Sequence, residues 1–404
     1  MKLPEAFIIR TKALLGSEWD SFEQSLNQER PVSVRLNPRK AGKEALSDLD
    51  VESPVPWASN AYYLSTRPVF TLDPLFHAGC YYVQEASSMF LEHFIKNYIS
   101  EPVKALDLCA APGGKATHLS ATLPEGSLLV ANEVIRSRAD ILAENLIKWG
   151  NPNTVVTNNY PKDIGKLKAY FDLIVCDLPC SGEGMFRKDP AAVSEWSVNN
   201  VKRCAERQRQ IISDIFPALK PGGILIYSTC TYNREENEDN IDWICKEFEA
   251  ELLEEPHRFM PHKMRGEGFF IAGMRSLPPD PLKGENAPRL CSPFRGLGGK
   301  GVVEEILDCF TPFAMTGNRI KKDLIPNHAL AMSTALPEES FPRWDLDRET
   351  ALKYLRKEAL YNIPPAVPRG FVLVTYRNQP LGFIKNIGNR ANNLYPQEWR
   401  IRKL

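Results

Sequence analysis

The stretch "LDLCAAPGGKATHLS", residues 106–120, decides how the chain is read. A short apolar run passes into small residues and a Pro-Gly-Gly turn, and a helix-like pattern follows. In that order a buried strand hands over to a helix whose first turn lies open to a ligand.

The same alternation extends outward from Lys104 to about Arg275. "KALDLCA", "GSLLVANE", "NTVVTNN", "FDLIVCD" and "GGILIYST" read as strands, and "RSRADILAENLIKWG" as a helix stopped by Gly150. Buried strands alternating with helices predict βαβ units, hence an α/β fold: a Rossmann-like, doubly wound, mostly parallel sheet. Residues 1–75 mix helix-like and short strand-like pieces and read as a small α+β domain. The sheet domain takes 76–276, a Pro- and Gly-rich linker with a mixed segment takes 277–340, and a β-rich domain takes 341–404.

Composition narrows the function less than the pattern does. The 404 residues are 43% hydrophobic and 25% charged, as in soluble globular proteins. Lys+Arg and Asp+Glu both number 50, so any surface for a polyanion must come from local clustering. Nothing reads as a signal peptide or a membrane span, and a cytoplasmic location is expected. Nine cysteines lie without CxxC or CxxH spacing, so neither a disulfide framework nor a metal site is expected.

The loop Cys109, Ala110, Ala111, Pro112, Gly113, Gly114 and Lys115 lets a ligand approach the backbone closely. It is neither a Walker A loop nor GxGxxG, which disfavours nucleotide phosphates and dinucleotides. A nucleoside without phosphates, such as S-adenosylmethionine, suits it; an ordinary tight turn is the alternative. Glu133 follows the next strand at the spacing of an acid that holds a ribose diol.

Two later strands each end near a cysteine: "FDLIVCDLPCSGEGMFRKDP" (171–190) holds Cys180, and "GGILIYSTCTYNREENE" holds Cys230. Strand ends open on one crevice, so both thiols point toward the glycine loop. A thiolate that adds to C6 of a pyrimidine makes C5 nucleophilic enough to accept a methyl group. Lys115 supplies positive charge for the thiolate, and Asp177 is the candidate to spread charge on the ring. A lone cysteine is more often packing than chemistry, and the matched pair shifts that balance.

"DLCAAPGGK", "CDLPCSGEGMFRKDP" and "YSTCTYNREENE" together resemble the Nop/Sun RNA cytosine-5 methyltransferases. "RPVSVRLNP", "YYVQEASSM", "GFFIA" and "GFIKNIGNRANNLYPQEWRIR" are similar to bacterial members that act on 16S rRNA and carry a C-terminal PUA-like domain. The resemblance implies that Cys109 to Lys115 line the cofactor, S-adenosylmethionine, that Glu133 holds its ribose, and that Asp177 contacts both cofactor and cytosine. It implies that Cys230 attacks C6 and Cys180 aids release. Lys188 would face the RNA. Two departures stand out: Leu178 replaces the usual Ala beside the target base, and Tyr160 aligns with the acid that contacts adenine, leaving Asn158 or Asp163 to substitute.

RNA phosphates are expected at Arg35 within "RPVSVRLNPRKAGK" and, in the tail, at Lys385, Arg390, Arg400, Arg402 and Lys403. Tyr395 and Trp399 are interleaved there and could stack on unpaired bases. The expected partner is ribosomal RNA or the small ribosomal subunit, and the expected state a monomer. Rival readings are a methyltransferase acting on another RNA such as tRNA, a DNA cytosine-5 or adenine methyltransferase, and a ribosome-assembly factor without catalysis. The Thr-Cys motif argues against the DNA enzymes, and Asp-Leu-Pro-Cys against the adenine enzymes.

Overall fold

The computed structural model describes residues 1–278, 317–320 and 323–402. The linker reading of 277–301 falls, from residue 279 on, outside the described residues, as does Lys403.

Helices α1 (Glu5–Leu15) and α2 (Trp19–Ser25) precede four antiparallel strands in the order β2-β3-β1-β4. They are β1 (Val32–Leu36), β2 (Val51–Pro54), β3 (Ala61–Leu64) and β4 (Tyr81–Val83), with the short α3 (Pro74–His77) before the last. This sheet runs past residue 75, because β4 pairs with β1.

After α4 (Leu91–Tyr98) come β5 (Lys104–Asp107), α5 (Gly114–Thr122), β6 (Leu128–Asn132), α6 (Arg136–Trp149), β7 (Thr154–Thr157) and α7 (Pro161–Ile164). Then follow β8 (Phe171–Asp177), α8 (Pro190–Glu195), α9 (Val198–Ile215), β9 (Leu219–Thr229), α10 (Glu238–Glu247), β10 (Ala250–Leu252), β11 (His257–Phe259) and β12 (Phe269–Ser276). The order is β10-β12-β9-β8-β5-β6-β7, with β11 beside β12. The run from β9 to β7 is parallel, as the apolar strands predict, and Leu106, Ile174 and Leu225 are almost wholly buried in it. Each such side chain contributes about 2 kcal/mol. Sequence reading left out the antiparallel edge, where β12 pairs with β9 and sets Phe270 opposite Thr229.

Helix α6 buries Ala139, Leu142, Leu146 and Trp149 on one stripe and ends at Gly150, whose φ of 85° is left-handed. A Cβ there would sit 2.1 Å from the carbonyl oxygen of Met332, so the helix stop also seats the C-terminal region. That region has β13 (Gly317–Ile320), β14 (Asp323–Pro326), β15 (Arg343–Asp345), β16 (Gly370–Tyr376), β17 (Gln379–Asn386) and β18 (Ala391–Asn393). The last four form one sheet in chain order.

The first and last sheets share a core. Val34, Leu36 and Leu64 pack in one cluster with Tyr354, Val372, Ile384 and Tyr395. Arg377 bonds Asp48 at 2.8 Å across the same contact. Among the described residues no helix is long and apolar enough to cross a membrane.

Candidate active site

The chain leaves β5 toward β6 on one side and returns to β8 on the other, so a crevice opens beyond Asp107 and Asp177. The loop after β5 is tied down on several sides. Ala110 N–H donates to the Asn132 carbonyl at 2.8 Å, Arg138 Nη2 to the Ala111 carbonyl at 2.9 Å, and Asn145 Nδ2 to the Pro112 carbonyl at 2.7 Å. The Ala111–Pro112 bond is cis, and Gly113 has φ 117°. That left-handed backbone is what favours glycine; a Cβ there would only touch Asn145 and Leu142 of α6 at 3.4 Å. Glycine thus lets the loop turn beside α6 while α5 starts at Gly114 without a side-chain cap, its positive end toward the crevice.

Glu133 is buried. Its Oε1 accepts from Ile135 N–H at 2.9 Å; its Oε2 lies 3.2 Å from Arg138 Nη1 but takes no hydrogen bond. An acceptor is therefore left for a diol. Asp107 is fully buried with neither oxygen hydrogen-bonded. Burial pushes its pKa up to about 7; Lys115 opposes this, while Asp177 and Glu133 add to it. Lys115 Nζ lies 2.8 Å from Asp177 Oδ2, and Asp177 Oδ1 accepts from Ser228 Oγ at 2.8 Å. Burial works against the Lys115 charge, yet Asp177 holds its pKa above the usual lysine value. Three acids against Lys115 and Arg138 make a crevice that favours a cation, and the unbonded oxygens of Asp107 and Glu133 fit the charge and diol of S-adenosylmethionine.

Asp177 and Ser228 stand in register on β8 and β9. Beyond them, Cys180 Sγ and Cys230 Sγ meet at 3.1 Å, both free thiols. The contact with Cys230, then burial, pushes the Cys180 thiol well up, which favours its protonated form; either sulfur can donate across the contact.

Two buried carboxylates shape these loops. Glu183 Oε2 accepts from the N–H groups of Tyr232 (2.7 Å) and Asn233 (3.0 Å), and Oε1 from Trp196 Nε1 (3.0 Å) and Asn233 Nδ2 (3.2 Å). Glu236 Oε2 accepts from Ser181 N–H and Gln208 Nε2, both at 2.9 Å. Gly184 N–H donates to the Cys230 carbonyl at 2.9 Å. Sequence reasoning missed Glu183, Gln208, Asn233 and Glu236. The available signal was Gln208, a polar residue on the apolar stripe Val201, Ala205, Ile212, Ile215 of α9.

The expected RNA contacts separate. Lys188 and Arg390 are exposed, while Lys385 is half-buried with Nζ 5.3 Å from the Phe371 ring centroid. Arg35 is a correction: it is 1% exposed, bonds Gln84 Oε1 and Thr117 Oγ1, and stacks on Trp149. Its alternate position in β1 points it into the contact with α5, so it braces that helix and does not face RNA. Tyr395 is likewise core and does not stack on bases, while Trp399 is half-buried and packs edge-on against His328. Asn158 Nδ2 is taken by the Glu133 carbonyl at 2.6 Å, and Asp163 pairs with Lys166. Tyr160 stands 63% exposed beside them, with Val134 and Ile135 exposed after the neighbouring strand.

Comparison with known proteins follows the same lines. Residues 99–275 match the model of 16S rRNA methyltransferase RsmB/F, 3–86 the N-terminal domain of 16S rRNA methyltransferase RsmF, and 341–401 the methyltransferase RsmF PUA domain. Ribosomal RNA small subunit methyltransferase F of Pectobacterium atrosepticum is 31% identical, over 98% of this chain and 95% of that one. Its counterpart in Cronobacter sakazakii is 30% identical over 98% and 96%. A methyltransferase homologue from Pyrococcus horikoshii has a TM-score of 0.60 at 28% identity, over 68% of this chain and 95% of that one. NSun6 from the same organism, solved with SFG, shares the fold: TM-score 0.60, 20% identity, over 68% and 98%.

Proposed function

The chain belongs to the RsmF family of 16S rRNA methyltransferases, and on that premise we propose that it methylates C5 of a cytosine in 16S rRNA through a covalent bond between Cys230 and C6. The observation that carries this reading is the 3.1 Å Cys180–Cys230 pair at the ends of adjacent parallel strands, beside the Lys115–Asp177 ion pair. S-adenosylmethionine is the cofactor; when bound it supplies an electrophilic methyl group on a sulfonium. Cys109 to Lys115 would line it, and Glu133 Oε2 and Asp107 would meet its diol and positive charge. The exposed rim of Val134, Ile135 and Tyr160 would cover its adenine, in place of the acid expected there.

Cys230 Sγ adds to C6 as thiolate, and the electron pair of the C5–C6 double bond moves to C5. Asp177, oriented by Lys115 and Ser228, would accept hydrogen bonds from the exocyclic amine and the protonated N3 of the adduct, which holds the ring in place. After C5 is methylated, a general base takes its proton, the C5–H electron pair restores the double bond, and the C6–S bond breaks to release Cys230 as thiolate. Cys180, protonated and touching Cys230, stands where it can assist that departure. The base must be unpaired or flipped out for its C5–C6 edge to reach two thiols this close together. The setting would be the cytoplasm, where the small subunit is assembled.

The test uses Cys180→Ala and Cys230→Ala with 16S rRNA and S-adenosylmethionine on denaturing gels. Cys180→Ala should accumulate an RNA-linked band, and Cys230→Ala none. The reverse pattern would exchange the two roles. Wild-type methylation with no trapped band in either variant would remove the covalent step.

A further inference from the structure

A set of ligating side chains outside the crevice gathers at the first turn of α4. His93 sits in that helix, Glu254 in the turn after β10, and His257 at the start of β11. The Nε2 atoms of His93 and His257 approach one atom, Glu254 Oε1, at 2.7 and 2.8 Å, and the three donors lie within 4.8 Å of one another. Their side chains are 31%, 25% and 35% exposed, so solvent reaches them.

We propose that His93, Glu254 and His257 form a binding site for one divalent transition-metal ion of the zinc class, pinning α4 to the β10–β11 turn. Sequence spacing could not show it, since His93 and Glu254 are 161 residues apart.

Two imidazoles and a carboxylate are a common ligand set for zinc, with ligand atoms at about 2.0–2.2 Å from the ion and water completing a tetrahedron. Tetrahedral ligands at that radius stand about 3.3 Å apart. The present 2.7 and 2.8 Å contacts therefore open by roughly half an ångström as the ion replaces the two bridging protons. Outer contacts already fix the ligands. Tyr98 Oη donates to Glu254 Oε2 at 3.0 Å, and the Asn97 amide lies 3.1 Å from His93 Nδ1. The Asn97 atom at that ring is Nδ2, a donor, so the amide must turn over, oxygen to the ring, to accept the Nδ1 proton of a metal-bound histidine. Phe90 stacks on His93 at 4.7 Å and contacts His257 at 4.5 Å, which limits rotation of both rings. The ion-pair partners of Glu254 among the described residues are these two histidines; neutral imidazoles leave a net negative cluster that a dication reverses.

Cys180 and Cys230 are the competing ligands, so the experiment must tell thiolate from imidazole. The full-length chain is titrated with Co2+ and Zn2+ under reducing conditions, as wild type, His257→Ala and Glu254→Gln. Wild type should bind one ion, with visible cobalt bands of nitrogen and oxygen ligation and no thiolate-to-cobalt charge transfer. Zn2+ should displace the cobalt and raise the melting temperature. Either substitution should weaken binding more than about a hundredfold, beyond the loss from removing an outer partner. A thiolate charge-transfer band, unchanged affinity in His257→Ala, or no binding at micromolar ion would each overturn the proposal. The wild-type cobalt spectrum decides the ligand class even if a variant fails to fold.

Discussion

Glu183→Gln tests the claim that buried acceptors hold the Cys230 loop. All four groups on this carboxylate are donors: two backbone N–H groups, Trp196 Nε1 and Asn233 Nδ2. A glutamine has one oxygen to offer. Its better orientation keeps the backbone pair and turns its NH2 toward Trp196 and Asn233. Asn233 Nδ2 still has Glu236 Oε1 at 2.8 Å and Thr231 Oγ1 at 2.9 Å. Trp196 Nε1 and the new NH2 have nothing. Two stranded buried donors at about 1–3 kcal/mol each give a loss of roughly 2–6 kcal/mol. Glu236→Gln keeps Ser181 and Gln208 on its oxygen and strands its own NH2 alone, so its loss should be near 1–2 kcal/mol. Urea unfolding of wild type and both variants, followed by tryptophan fluorescence, measures the two numbers. Methyl transfer to rRNA should fall further in Glu183→Gln, because Gly184 in the same turn holds the Cys230 carbonyl. A Glu183→Gln protein within about 0.5 kcal/mol of wild type, or less affected than Glu236→Gln, would refute the reasoning.

Three further outcomes are expected. Asp107 has a folded pKa of about 7 against 3.8 for a free group, so the folded state holds the extra proton and stability declines as pH rises from about 4 to about 7. The loss is complete above 7 at about 4 kcal/mol, and melting temperatures of wild type and Asp107→Asn should diverge as pH rises from 5 to 8; parallel curves would count against it. Arg35→Ala should lower stability by about 3 kcal/mol or more through its lost bonds to Gln84 and Thr117, whereas Arg390→Ala should leave stability unchanged and reduce the salt slope of rRNA binding by about 0.7, both read by melting and by filter binding. Tyr160→Ala should weaken S-adenosylmethionine binding roughly twofold to tenfold by calorimetry, the worth of one exposed aromatic contact, and no change would remove Tyr160 from the adenine rim.

The parallel sheet was legible because its strands are short apolar runs bounded by turns, a signal carried within five to seven residues, as in Leu128–Asn132 and Phe171–Asp177. The antiparallel β12 was not, since Phe269–Ser276 starts inside "GEGFF", its sequence neighbour β11 is only three residues long, and its main partner β9 ends some forty residues earlier. Arg35 shows the limit of reading charge as surface. A basic stretch with no acid in it looks solvated until two distant helices supply Gly114 and Thr117 of α5 and the Trp149 ring of α6. Glu183 and Glu236 were hidden for the same reason. Their partners lie up to 55 residues away, and only the fold makes a glutamate there an acceptor.

The core shared by the first and last sheets has a bearing on how the protein is made. Val34 and Leu36 leave the ribosome early, but Ile384 and Tyr395, which cover them, come about 350 residues later. At about 5–20 residues per second that interval is roughly 20–70 s. Throughout it the apolar face of the N-terminal sheet has only neighbours from its own segment, such as Leu46, Phe70 and Leu75, against it, while the central sheet can already close. The N-terminal segment therefore finishes folding last although it is synthesised first, and a chain that stops short of β17 leaves both ends of the enzyme sticky.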